Sequence, residues 1–179
     1  MQELMIGFGL FLVLILLYYI FVYNRLQRLV NSAAEASSGI DVALLKRYDL
    51  ISNLVEVVKG YSKHESEVFT EIAAIRNNLD NARDVANEQM EVAMGKLSVL
   101  IENYPQLKAS EQYLNLQKNL SNVEEHLQAS RRLYNRSVTE LNNVIKQFPT
   151  SFIAKNHDIS ARQLFAASGN FNEKPEVAF

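Results

Sequence analysis

The hydrophobic pattern changes character once along the chain. Residues 4–23 read LMIGFGLFLVLILLYYIFVY, twenty positions without a charge and without a polar face. At about 1.5 Å per residue a helix of that length spans about 30 Å, the thickness of a hydrocarbon core. Beyond it, apolar residues recur at steps of three and four, from Leu26 through Ala33, Ile40, Ile51 and Val58 to Ile75 and Leu79. Only Arg47 and Glu65 interrupt that stripe, which lies down one side of a helix and is close to a coiled-coil seam. The spacing predicts an uninterrupted rod from Leu4 to Leu79. Two places offer a break: Gly39 beside Ser37 and Ser38, and Ser52, where Asn53 with Glu56 fits a capping box.

The polar stretch 80–87 reads as a hairpin connection. Met90, Met94, Leu97, Ile101 and Tyr104 then mark a second helix, which Pro105 closes because proline disfavours helix in the residue before it. Ser110 and Glu111 open a last helix whose stripe runs from Tyr113 through Val123, Leu127, Val138 and Leu141 to Ile145 and Phe148, with Pro149 as its end. No segment alternates apolar and polar residues as a strand would. The expected fold is therefore all-α: an N-terminal single-pass transmembrane helix continuing into an antiparallel bundle of three or four long helices. Residues 1–3 form a short tail, 4–23 the span, 24–149 the bundle and 150–179 a mostly irregular tail.

The flanks of the span decide its reading. Met1-Gln2-Glu3 carries no basic side chain, so the start does not resemble a cleaved secretion signal. Tyr18, Tyr19 and Tyr23 gather at one end, where amphipathic rings prefer the water boundary. Arg25 and Arg28 follow them, which places the N-terminus outside and the bundle in the cytoplasm, in a cell (inner) membrane. These five residues are the expected membrane-interface set.

Composition narrows the chemistry. The chain has 179 residues, 18 Lys and Arg against 20 Asp and Glu, and no Cys or Trp. A net charge of -2 argues against nucleic-acid binding. Without cysteine there is no disulfide framework, thiol nucleophile or thiolate metal site. The three histidines do not converge: His64-Glu65 lacks the second histidine of a zinc-protease helix, position 68 being Val68; His126 sits among Glu124 and Glu125 on a helix surface; His157 lies in the tail beside Asp158. There is no glycine-rich phosphate loop and no serine in a glycine-flanked elbow. Lys46-Arg47 and Arg131-Arg132 read as ordinary ion-pair partners on helices. No catalytic, cofactor-binding or metal residue is expected, and the chain is read as a non-enzyme. Arg47 and Glu65, polar on an apolar seam, are the expected register or subunit contacts.

One stretch carries more specific information. IDVALLKRYDLISNLVEVVKGYSKHE, from Ile40 to Glu65, resembles the signature block of the LemA family. ENYPQLK at 102–108, LNLQ at 114–117, Tyr134-Asn135 and Phe148-Pro149 are similar to that family's later landmarks, in its order. The resemblance covers roughly residues 23–153. It implies one N-terminal membrane helix followed by a helical bundle, and no settled biochemical activity. Two positions depart from the pattern: Ser52 stands where the family usually has proline, and no tryptophan lies near Ser37 and Ser38. One branch of the family is associated with the shaping of magnetosome membranes. The expected function is accordingly a membrane-anchored structural protein that forms homo-oligomers and organises or remodels the bilayer. The alternative is an adaptor that recruits or regulates a membrane partner such as a quality-control protease, through a tail ending Glu176-Val177-Ala178-Phe179. A reporter fused after Phe179 is expected to work in the cytoplasm; activity confined to the outside would overturn the orientation.

Overall fold

The computed structural model describes residues 1–61, 66–79 and 82–165, with the backbone alone at 66–68. Among the described residues six helices follow in order: α1 (Gln2–Lys59), α2 (Ser66–Leu79), α3 (Arg83–Glu102), α4 (Pro105–Lys108), α5 (Glu111–Lys146) and α6 (Thr150–Asn156). There is no strand among the described residues. The chain divides into two compact units whose boundary falls inside α1 and α5: residues 1–38 with 130–165, and residues 39–129.

In the first unit, α1 carries the apolar span. From Leu4 to Phe21 the large side chains lie exposed except the half-buried Tyr19, with Leu14 at 63% and Phe11 at 59%. Burial begins at Val22 and continues at Leu26, Ala33 and Ala36, the first steps of the seam. The helix does not break at that change, because one hydrogen-bonded backbone suits both lipid and a packed seam. α5 runs antiparallel to it: Ser32 Oγ meets Ser137 Oγ at 3.3 Å, while Val22 and Leu26 cluster with Val144 and with Ile153 and Ala154 of α6.

The second unit holds the rest of α1, then α2, α3, α4 and the first half of α5. Ile40, Leu44, Ile51, Leu54 and Val58 are buried, as the stripe requires. α1 passes through Gly39 and Ser52 without interruption. Ser52 fits a straight helix, and its hydroxyl lies buried with no hydrogen-bond partner among the protein atoms. α2 returns antiparallel to α3, tied by Glu71 to Lys96 at 2.6 Å and Asn78 to Gln89 at 2.9 Å. Arg83 to Asp41 at 2.9 Å sets α3 beside α1.

Helix ends follow local chemistry. α3 stops before Pro105, which becomes the first residue of α4, where its missing amide is harmless. Ser110 caps α5, its hydroxyl accepting the Tyr113 amide at 3.3 Å.

Four expectations are corrected. The rod does not reach Leu79: α1 ends at Lys59, where glycine costs about 1 kcal/mol of helix relative to alanine. There the Gly60 and Tyr61 amides turn back to Val57 and Val58. Tyr61, placed on the stripe, is 45% exposed in consequence. The 80–87 connection is shorter than read, since α3 begins at Arg83 and Asn87 is fully buried inside it. Residues 150–156, at the start of the tail read as mostly irregular, form α6. Phe148, placed last on the α5 stripe, lies past the helix end and is 88% exposed.

Leu127 has no exposed surface and sits on the α5 seam. Replacing it with Asp buries a charge without a partner and is expected to cost at least about 3 kcal/mol. Thermal denaturation followed by circular dichroism in detergent checks this. A soluble, fully helical variant with unchanged melting would remove Leu127 from the core.

Candidate functional site

The residues expected at the membrane boundary occupy one short stretch of α1. Tyr18 is exposed, Tyr19 and Tyr23 are half-buried, and Arg25 and Arg28 point outward. Five residues therefore carry the helix from bare apolar surface to cationic surface. Tyr19 and Tyr23 have a partner that the sequence did not announce. His157 Nε2 stands 2.7 Å from the Tyr19 hydroxyl, and its ring is 4.6 Å from that of Tyr23. His157, placed by the sequence in a mostly irregular tail, is thus pinned to the end of the apolar stretch.

The pin follows from how α6 ends. His157 is the C-cap, and Asp158 after it takes a left-handed φ of 53°. The Ile159 amide then reaches back to the Ala154 carbonyl at 2.9 Å, and the Asp158 amide to Lys155. This double closure is a Schellman cap, with aspartate in the place glycine usually takes. Its usual apolar contact is present too, because Ile159 packs on the cluster that contains Ala154.

From there the chain runs back along α5 as an extended strap. Asn142 donates to the Arg162 carbonyl at 2.8 Å and accepts from the Arg162 amide at 2.9 Å. Asn135 repeats the arrangement on Phe165, at 3.0 and 2.7 Å. Tyr134 donates its hydroxyl to the Gln163 carbonyl at 3.1 Å. Arg131 lies over the Phe165 ring, 4.8 Å from its centre. Each asparagine amide satisfies both polar groups of one residue, as a neighbouring strand would, so the strap's backbone is held without a sheet. The Tyr134-Asn135 pair, quoted above only as a family landmark, is half of this bracket.

Arg47 is placed in the second unit, with its side chain 12% exposed. Its Nη1 donates to Asn87 Oδ1 at 2.8 Å and lies 3.3 Å from Glu124 and 3.8 Å from Glu91. Asn87 in turn donates to Glu91 at 3.1 Å. One guanidinium thus links α1, α3 and α5 within a single chain. Glu65 and His64 lie outside the described residues, as do residues 176–179. His126 is exposed.

Among the described residues no three His, Asp or Glu side chains group as metal ligands. Burial pushes the Tyr113 phenol above its ordinary range, partly offset by the hydrogen bond from Gln117. A cleft between α2 and α3 is lined by Ile75, Val92 and Ala93, and its Glu71 and Lys96 are spent on each other.

Three comparisons bear on this architecture. The model of the LemA family matches residues 36–179, a stretch that starts after the apolar span. Protein LemA of Metamycoplasma hominis is 32% identical over 172 residues, covering 90% of this chain and 78% of that protein. Magnetosome protein MamQ of Magnetospirillum gryphiswaldense is 20% identical over 163 residues, covering 74% of this chain and 60% of that protein.

Replacing Asn142 with Ala removes two hydrogen bonds to the strap, each worth about 1 kcal/mol. The Arg162 amide is expected to exchange with solvent about tenfold faster or more, at roughly 1.4 kcal/mol per decade, while α5 amides keep their protection. Unchanged exchange at Arg162 would show that the bracket does not hold the strap.

Proposed function

The chain belongs to the LemA family and is membrane-associated, and from that premise we propose a non-enzymatic structural protein that self-assembles into homo-oligomers and organises or remodels the bilayer. The observation that carries the proposal is the unbroken passage of α1 from exposed apolar residues, ending at Phe21, into a seam that begins at Val22. A helix cannot bend freely at that point without breaking backbone hydrogen bonds. Side-by-side packing of several copies therefore sets the tilt and spacing of their spans, which is how a protein shapes a bilayer from one side. The likeness to a magnetosome protein supports the membrane side of this reading. Arg25 and Arg28 support a cytoplasmic body and an N-terminus outside.

The second reading is an adaptor for a membrane partner such as a quality-control protease. It is favoured by the bracket of Asn135 and Asn142, which grips main chain and so accepts other extended segments in place of 162–165. Both readings need no catalytic centre.

Mass measurement on the full chain in nanodiscs and in mild detergent tests the first reading. A defined oligomer at working concentration is expected. A monomer in both environments would overturn self-assembly and leave the adaptor reading in its place.

A further inference from the structure

We propose that the corner between α5 and α6 is a second membrane contact, through which Phe148 and Phe152 enter the boundary layer of the same bilayer that the span crosses. This rests on reading residues 4–23 as lipid-embedded. The level of the corner is set by packing inside the first unit. Ser137 faces Ser32, and two turns further along α5 Val144 meets Val22 and Leu26. Following the same antiparallel register, residues 148–152 come level with the last turns of the span. α6 gives that level independently, since Ile153 and Ala154 pack with Val22 and Tyr19. His157 completes it with its contacts to Tyr19 and Tyr23. The corner thus touches residues that belong to the span itself.

What the corner exposes matches that level. α6 buries Thr150, Ile153 and Ala154 but leaves Phe152 72% exposed, with Phe148 at 88% just before it. The Phe152 amide bonds to the Pro149 carbonyl, so the turn leads directly from one ring to the other. A large apolar side chain in water forgoes the free energy of burial, and two at one turn form a patch that needs cover. The cover must be something that also meets Tyr18, Tyr19 and the exposed apolar residues before them. Lipid meets all of these without a second binding surface. Lys146 and Lys155 lie exposed on either side of the rings, and Arg25 and Arg28 stand exposed on α1. Such cations are attracted to anionic headgroups. Aromatic rings flanked by cations on a short helix are the chemistry of an interfacial segment rather than of a span. The span would then be held at two points of its circumference, by its own tyrosines and by a corner delivered from the far end of the chain.

The chain contains no tryptophan, so one introduced residue is a unique probe. Three full-length variants suffice: Phe152→Trp at the corner, Leu14→Trp in the span, and Leu133→Trp at an exposed site of α5 further up the first unit. Each is reconstituted into phosphatidylcholine–phosphatidylglycerol vesicles whose acyl chains carry bromine. The expected result is loss of emission for Phe152→Trp comparable with that of Leu14→Trp, while Leu133→Trp keeps its emission. Phe152→Trp emission as bright as that of Leu133→Trp, with Leu14→Trp quenched, would overturn the corner contact and leave the span intact. A blue-shifted Phe152→Trp that bromine does not quench would also overturn it, in favour of cover by a second copy. Failure of Leu14→Trp to quench would overturn the span reading and the corner with it.

Discussion

The rest of the first unit depends on one constraint: α1 must serve two solvents with a single backbone. In hydrocarbon there is no water to satisfy peptide groups, so the segment has to be a continuous helix. Past Phe21 the same helix has to bury one face and wet the other. The changeover occupies only the residues from Tyr18 to Arg28, and each type there suits its position. The tyrosines are apolar in body and polar at the tip, Val22 and Leu26 begin the seam, and the arginines stay outside. A mean hydropathy of -0.09 for the whole chain is the sum of those two environments and describes neither.

Apolar stripes alone allow neighbouring helices to slide. Polar pins remove that freedom in both units. Arg47 reaches an asparagine and two carboxylates on two other helices, so any slip would strand a nearly buried guanidinium. The Asn135 and Asn142 brackets act the same way on an extended segment that has no seam of its own. Their spacing on α5 matches two residues three apart on the strap, which fixes its register against the helix. The Tyr19 contact with His157 closes the first unit at the end of the exposed apolar stretch of α1.

How much of this was legible follows from how far each signal reaches. Stripes of three and four report a helix face, and they placed Leu26, Ile40, Ile51, Val58, Leu97, Leu127 and Leu141 correctly in the core. Proline and serine punctuation at Pro105 and Ser110 is equally local and was readable. What escaped depends on partners far along the chain. Asn87 looked like loop because its partner Arg47 is forty residues away. Nothing local marked Asn135 and Asn142 as a bracket, because the strap they hold lies twenty to thirty residues further on. His157 is 138 residues from Tyr19. Phe148 failed for a different reason: it kept the period after the helix had already ended. The end of α1 at Lys59 shows the reverse, where an unbroken stripe hid a glycine that stops the helix.

Accessibility along α1 tests the two-solvent account most directly. In this cysteine-free chain, single spin labels placed from residue 4 to residue 30 and reconstituted in vesicles report oxygen and water-soluble nickel chelate separately. The account predicts high oxygen and low nickel exposure through Phe21, with no helical period. A 3.6-residue alternation in nickel exposure should then set in beyond Val22. Nickel exposure throughout residues 4–21, or a helical period running through them, would contradict it.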